Sequence, residues 1–381
     1  MTTINEVTVI GAGLGGLVLA NVLHRNGIQV AVYDLDATPT ARDQGGMLDM
    51  HEDSGQPALR AAGVFDRFQA SVLPSGEAMR LLDSSGAVRM ADDGEGGSRP
   101  EVSRKALRAM LSDALPEGVI HWGAKVTGIA ALGGGAHRVS FADGSTVDTE
   151  LLVGADGAWS KVRPLVSAAV PAYTGMSFVE FQLADADARH PQAAALIGSG
   201  SMFALAHRKG ILAHRCSDGS LDIGAALTVP LEWLDTVDAT DIAATAAMVR
   251  AEFAGWAPEM LALVATSDRP IALRPIHALP VGHRWDRVPG VTLLGDAGHV
   301  MSPFAGEGAN LAMLDGAELA AAILAHHNDI ETGLAAYERE MSARAAISAQ
   351  ESADNLVRMF REDAPQPLVD LFAAMQAGIG A

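Results

Sequence analysis

The chain has 381 residues, 49% of them hydrophobic, which is enough for two domains with apolar cores and too apolar for a disordered polymer. Lys and Arg number 27 against 46 Asp and Glu, and the formal net charge of −19 argues against a nucleic-acid partner, whose phosphates this field repels. Cys216 is the only cysteine, so an intrachain disulfide and a thiolate metal cluster are both excluded, and a reducing cytoplasm is the expected location.

A β-branched run at residues 7–10 predicts a strand, and Leu17, Leu19, Ala20 and Leu23 at helical spacing predict a helix from Leu14 to Arg25. Between them lies Gly11-Ala-Gly13-Leu-Gly-Gly16. Glycine in such a turn lets the backbone approach a pyrophosphate and lets the helix pack on its strand, while the helix start offers free N–H groups. A second strand, Gln29–Tyr33, ends at Asp34, which lies 18 residues past Gly16. That is near the ~20 expected of a carboxylate that accepts ribose hydroxyls. A chance glycine-rich turn is the competing explanation, and the strand, the helix and the acid all weigh against it. The loop at residues 37–46 ends in Gly45-Gly46, which either lets a planar ring lie against backbone or merely terminates the loop.

Residues 54–68 predict one amphipathic helix, with Ala58, Leu59, Ala62 and Phe65 on one face. Residues 76–89 read as a hairpin turning at Asp83-Ser-Ser-Gly86, and residues 92–97 as a surface loop. A helix follows from Ser103, a candidate N-cap, to Leu115. Its Arg104 and Arg108 stand four apart on one face, suited to phosphate or to the polar edge of a cofactor; solvated surface arginines are the alternative. Residues 119–153 alternate strands with turns at Gly133-Gly-Gly135 and Asp143-Gly144, and then run into Gly154-Ala-Asp156-Gly157-Ala-Trp-Ser160-Lys-Val-Arg163. Residues 170–275 have short strands, frequent glycine and one expected helix at residues 240–253.

A strand at residues 291–294 returns to the nucleotide pattern and leads into Gly295-Asp296-Ala-Gly-His299 and Pro303-Phe304-Ala305-Gly306-Glu-Gly308-Ala309-Asn310. Here a helix start near Asn310 is aimed at whatever lies before the loop, unless the loop simply enters a helix. Apolar stripes mark one helix after Gly308 and a longer one at residues 334–360, whose irregular heptad favours packing on its own chain and hence a monomer. The segment at residues 317–325 includes Glu318 and is short of the ~18 apolar residues of a membrane span, and no basic-plus-apolar leader is present, so stable membrane association is not expected. No metal site is expected, since His-Glu-x-x-His or comparable spacing is lacking, and no Gly-x-Ser-x-Gly elbow supports a nucleophilic serine.

The expected fold class is α/β: a Rossmann-like dinucleotide domain at residues 1–75, 100–170 and 276–330, an inserted β-sheet substrate domain at 76–99 and 171–275, and a C-terminal bridging helix at 331–381. In order and separation, the motifs at Gly11, Gly154 and Gly295 resemble those of the single-component FAD-dependent aromatic hydroxylases, the family typified by para-hydroxybenzoate hydroxylase. Within it the runs Gly45-Gly-Met-Leu-Asp-Met-His51, Ser54-Gly-Gln56, Ser160-Lys-Val-Arg163, Pro303-Phe-Ala-Gly306 and Gln350-Glu-Ser with Asn355 are similar to the tetracycline-inactivating flavin monooxygenases.

The resemblance implies FAD as cofactor and NADPH or NADH as reductant, with a C4a-hydroperoxide delivering oxygen from dioxygen to a small aromatic substrate. It implies that Asp156 serves FAD and nicotinamide, that Asp296 binds the FAD ribose, that Arg104 lies beside the flavin, and that Gln182 faces substrate. Phe203, His207, Arg215, Phe304, Glu351 and Asn355 are further candidates for the substrate cavity, although an aromatic or histidine in a strand is more often simply packed. Asp222 stands where the tetracycline enzymes carry a basic residue, so a related phenolic or polyketide compound is an alternative substrate. A non-catalytic flavin-binding module is the alternative of another class.

Overall fold

The computed structural model describes residues 6–41, 46–73 and 76–376, in two compact units. The first comprises Met1–Val72, Arg104–Ala172 and His277–Ser352; the second comprises Leu73–Ser103, Tyr173–Ile276 and Ala353–Ala381.

In the first unit five strands pair in parallel, in the order Val291–Leu293, Leu152–Gly154, Glu6–Ile10, Gln29–Tyr33, Ile120–His121. Val7 and Val9 on one face and Thr8 and Ile10 on the other are all buried, as a parallel strand covered on both sides requires. The helix Leu14–Arg25 follows the first strand and is buried through its first ten residues. A separate antiparallel sheet, Val126–Gly133 with Ala136–Phe141 and Thr146–Thr149, turns at the expected glycines, all with positive φ.

The single helix expected over residues 54–68 is instead two, Gly55–Ala62 and Phe65–Gln69. Gly63 divides them at φ 77°, a left-handed C-cap, with the Arg25 guanidinium where its Cβ would be. Hydrophobic periodicity crossed that break without registering it.

The helix Gly308–Ala325 is long and apolar enough, by length and composition, to cross a membrane. Here it is a core helix. Its Asp315 and Glu318 are paired with Arg344, and its Gly316 meets the backbone of Gly15. A Cβ on Gly15 would in turn lie 2.3 Å from the carbonyl oxygen of Ala312. The two helices therefore touch backbone to backbone.

The second unit is built on a seven-stranded sheet in the order Ala272–Ala278, Ala172–Leu183, Leu221–Thr228, Lys209–Arg215, Ser201–Ala206, Met79–Leu82, Val88–Asp92. Alternation sends Val179, Phe181, Ile223, Ala225, Ile211 and Met202 into one apolar core with residues of the helices Pro191–Ile197, Ile242–Glu252 and Pro258–Leu263. Only the middle helix was foreseen; the others are at most 7 residues long, too short for a periodic signal. Asp241 caps Ile242–Glu252 by accepting from Ala244 N at 2.9 Å. The long C-terminal helix is Ile330–Met359, and a further helix, Gln366–Gln376, follows it.

Replacing Gly15 by valine drives a side chain into the Ala312 carbonyl. Overpacking of this kind costs about 1–3 kcal/mol, read as a lowered urea midpoint with an unchanged helical signal below the transition. A midpoint equal to that of the native protein would contradict the close helix contact.

Candidate active site

At the first glycine turn, a Cβ on Gly11 would lie 2.3 Å from Ala155 O, and one on Gly16 would lie 2.2 Å from Gly11 O. Gly13 is different, because nothing stands within 4 Å of its Cβ position. It precedes the helix Leu14–Arg25 with extended backbone, no side chain caps that helix, and the N–H groups of Leu14, Gly15 and Gly16 find no acceptor among the described residues. Unpartnered N–H groups beside an open concavity suit an anion.

Asp34 is buried, its Oδ2 accepting from Ala12 N at 2.6 Å and its Oδ1 from Asp36 N at 2.8 Å. Arg108 departs from both sequence readings, since it is buried and its guanidinium is engaged by protein. Nε donates to Ala12 O at 3.0 Å, Nη1 to Pro39 O at 3.0 Å and Nη2 to Asp36 at 3.1 Å, with Asp34 at 3.8 Å. It braces the glycine turn from behind, with its donors committed to protein rather than to phosphate.

In the second motif Asp156 Oδ2 accepts from Lys161 N at 2.6 Å, while its Oδ1 is buried without a partner; burial pushes this carboxyl up despite the Ser160 hydroxyl beside it. Gly157 adopts φ 79° and faces open space. Arg163 is buried and donates to three carbonyls, Ala158 O, Ala169 O and Ala297 O, at 2.7, 3.1 and 3.1 Å. It thereby ties the second motif to the third.

Gly295 takes φ 57°, and its N–H donates to Asp315 at 2.9 Å. Asp296 is solvent-accessible, whereas every other residue from 291 to 300 is buried. Crowding by protein still pushes its carboxyl up, against the pull of His299 and Arg104. The carboxylate makes no hydrogen bond among the described residues. Below it sits a buried cluster that the sequence reading missed: His299 Nε2 is 2.6 Å from Asp315, which also receives Arg344 at 2.9 Å. Burial opposes charge on both partners, yet mutual attraction holds Asp315 below and His299 above their ordinary ranges.

Pro303–Ala305 form one short 3-10 turn, and Gly306 closes it at φ 72°. The helix Gly308–Ala325 then begins with the N–H groups of Gly308, Ala309 and Asn310 lacking acceptors among the described residues. The Asn310 side chain is committed elsewhere: its Oδ1 accepts from His51 N at 3.0 Å and its Nδ2 donates to Asp49 O at 2.8 Å. Gly45 lies outside the described residues. Gly46 has φ 92°, faces open space and accepts from Arg104 N at 3.1 Å. Phe304 is half-buried, and Glu351 is exposed on the long helix.

On the second unit's sheet, Gln182 pairs in register with Asp222 and donates Nε2 to its Oδ1 at 2.7 Å, while Cys216 lies 3.2 Å from Oδ2. Burial first, then Asp222, pushes the Cys216 thiol up to about 12. A carboxylate only accepts, so it orients the Gln182 amide and leaves Oε1, buried and unpartnered, as an acceptor. Register puts Phe203 on this same face through Leu212 and Gly224. Arg215 is a correction: it pairs with Leu221 on the opposite face and binds Gly198 O, Ala194 O and Asp187. His207 is likewise in an exposed turn, 3.2 Å from Glu362, and Asn355 accepts from Arg358 one turn along its helix.

With this geometry stand three comparisons. The FAD binding domain family model matches residues 5–352, and the chain belongs to that family. It is 29% identical to the monooxygenase asqM of Emericella nidulans, over 98% of both chains. The crystal structure of Klebsiella pneumoniae HpxO complexed with FAD and uric acid matches with a TM-score of 0.80 at 25% identity, covering 98% of this chain and 92% of that one. The tetracycline destructase Tet(51), at 19% identity and a TM-score of 0.74 over 100% of this chain and 98% of that one, shares the fold. The chain is a flavoprotein monooxygenase of the aromatic hydroxylase family, which sets aside the non-catalytic module.

Arg108→Met leaves Asp34 and Asp36 buried without their cation. Breaking a buried pair in this way costs about 3–5 kcal/mol, measured by urea unfolding. Arg108→Lys should recover little, because one ammonium cannot reach all the partners of a fork.

Proposed function

We propose that this flavoprotein uses NADPH and dioxygen to hydroxylate an aromatic or polycyclic substrate, with a tetracycline-like ring system first among those to be tested. The observation that carries the cofactor assignment is the accessible Asp296 carboxylate in the same unit as two helix starts with unpartnered N–H groups and the open Gly13 concavity. In this reading the N–H groups after Gly13 receive the pyrophosphate, Asp34 accepts from ribose hydroxyls, and Asp296 binds the FAD ribose.

The N–H groups of Gly308, Ala309 and Asn310 then point at the flavin edge that becomes negative on reduction, each such helix interaction being worth ~0.3–1 kcal/mol and more when partly buried. Bound FAD supplies the redox chemistry, taking up hydride from the nicotinamide and activating dioxygen. No side chain has to act as acid or base toward oxygen. The chain's own tasks are orientation and exclusion of water, with Pro303 and Phe304 at the loop before that helix and Arg104 opposing the charge of Asp296.

For the substrate, the unpartnered Gln182 Oε1 supports a ring bearing an N–H or O–H donor. The likeness to a protein solved with uric acid favours a second reading, a nitrogen heteroaromatic, and the acidic Asp222 favours it over a substrate that needs a basic contact.

The test is NADPH consumption by the yellow protein with tetracyclines, simple phenols and urate. Acceleration by one class, less hydrogen peroxide than cofactor consumed, and label from dioxygen in the product are the expected outcome. Peroxide equal to NADPH with every class would refute the hydroxylation. Asp296→Ala should release FAD on dialysis, and a colour that survives would count against its role. Gln182→Ala should raise KM about tenfold, the loss of one buried hydrogen bond, with flavin content unchanged.

A further inference from the structure

Beside the loop at residues 303–308 lies an ionic cluster, a buried histidine between two partly exposed carboxylates, that the assignments above leave unused. The His51 ring is almost fully buried, with Nε2 2.9 Å from Asp49 Oδ2 and Nδ1 3.1 Å from Glu307 Oε1. A neutral imidazole carries one N–H, and carboxylates only accept, so satisfying both contacts requires both ring nitrogens to be protonated. Burial alone would lower the pKa of His51; the hydrogen bonds and charges of Asp49 and Glu307 outweigh it and raise the value to about 9.

Two carboxylates thus converge on one imidazolium. Asp49 reaches the ring from the strand Met47–Asp49, and Glu307 from the residue before the helix Gly308–Ala325. The packed helix Gly55–Ala62 presents neutral Gln56, which donates to Met50 O. Its Arg60 is exposed, as are Glu52 and Asp53 on the segment of His51 itself. The main chain is joined too, His51 N and Asp49 O being bonded to the two ends of the Asn310 amide. The position of the helix start therefore depends on charge balance at this ring.

The geometry points to His51 as a positioning residue whose imidazolium clasps Asp49 to Glu307 and so fixes the N–H groups of Gly308, Ala309 and Asn310 for the flavin. This rests on the reading that those groups face the flavin. Without the imidazolium, two carboxylates repel each other at the helix start and add negative charge where reduced flavin develops its own. The sign follows from the raised value: the folded state holds one more proton than the unfolded one between the ordinary histidine value and about 9, so the stabilisation is complete below that window and is lost as pH rises through it.

The test measures the unfolding midpoint of the apoprotein and FAD affinity by flavin fluorescence, from about pH 6 to about pH 10, in the native chain, His51→Gln and Glu307→Gln. Both quantities should fall through the upper part of the range in the native chain. Glu307→Gln, which keeps an acceptor but removes a charge, should shift the inflection to lower pH. His51→Gln should remove the His51 contribution, so that the native chain's advantage over the variant shrinks as pH rises through the window, and it should bind FAD about tenfold more weakly near pH 7, a coupling of ordinary size. A difference in midpoint between the native chain and His51→Gln that does not change with pH, or native FAD affinity in that variant, overturns the proposal. Failure of the underlying flavin assignment has a separate signature, Asp296→Ala retaining full FAD affinity while the apoprotein inflection of the native chain stands.

Discussion

Backbone meets backbone at the glycine turn because no Cβ stands between the strands and helices that converge there. Gly11 against Ala155 joins the first motif to the second, and Gly15 against Ala312 joins it to the helix that follows the third. Gly295 packs on the same Ala312, its Cβ position 2.9 Å from the alanine methyl. Segments separated by hundreds of residues are thereby packed with no room for a side chain between them. Arg163, reaching from the second motif to Ala297 O, adds a charged strut to that arrangement.

Electrostatics follows from the same economy of space. A chain of net charge −19 has to receive a polyanionic dinucleotide, yet two arginines near its motifs, Arg108 and Arg163, are directed at carbonyls and buried carboxylates. In the proposed reading, attraction for phosphate falls to neutral dipoles, the N–H groups at helix starts. Such dipoles are fixed by backbone geometry, need no counter-charge and are little altered by salt when shielded from solvent. They depend instead on the loops that aim them.

Much of the first unit was legible because its signals are local. The first helix spans Leu14–Arg25 and the second strand Gln29–Tyr33, as the apolar spacing indicated, and Gly11, Gly157, Gly295 and Gly306 of the motifs take the positive φ that favours glycine. Side-chain partnerships were not legible. Arg108 reads as a surface or phosphate-binding residue until Asp36 and Pro39 are brought against it, and Arg215 looks equivalent to Gln182 until strand register sends the two to opposite faces. His51 gave one usable signal, an acid two residues before it, but its second partner is Glu307, far along the chain. The Gly63 break was available in principle, as a glycine inside an amphipathic run, and the periodicity masked it.

The interleaving of the two units constrains how such a protein can change over time. The polypeptide passes from one set of segments to the other after Val72, Ser103, Ala172, Ile276 and Ser352, so no single stretch carries a whole unit. Recombination that exchanged one sheet for another would need several simultaneous crossovers, each at a boundary compatible with both parents. If the face that bears Gln182, Phe203 and Asp222 receives substrate as proposed, new specificities are reached more readily by single replacements there, on a surface whose reverse side already holds the core.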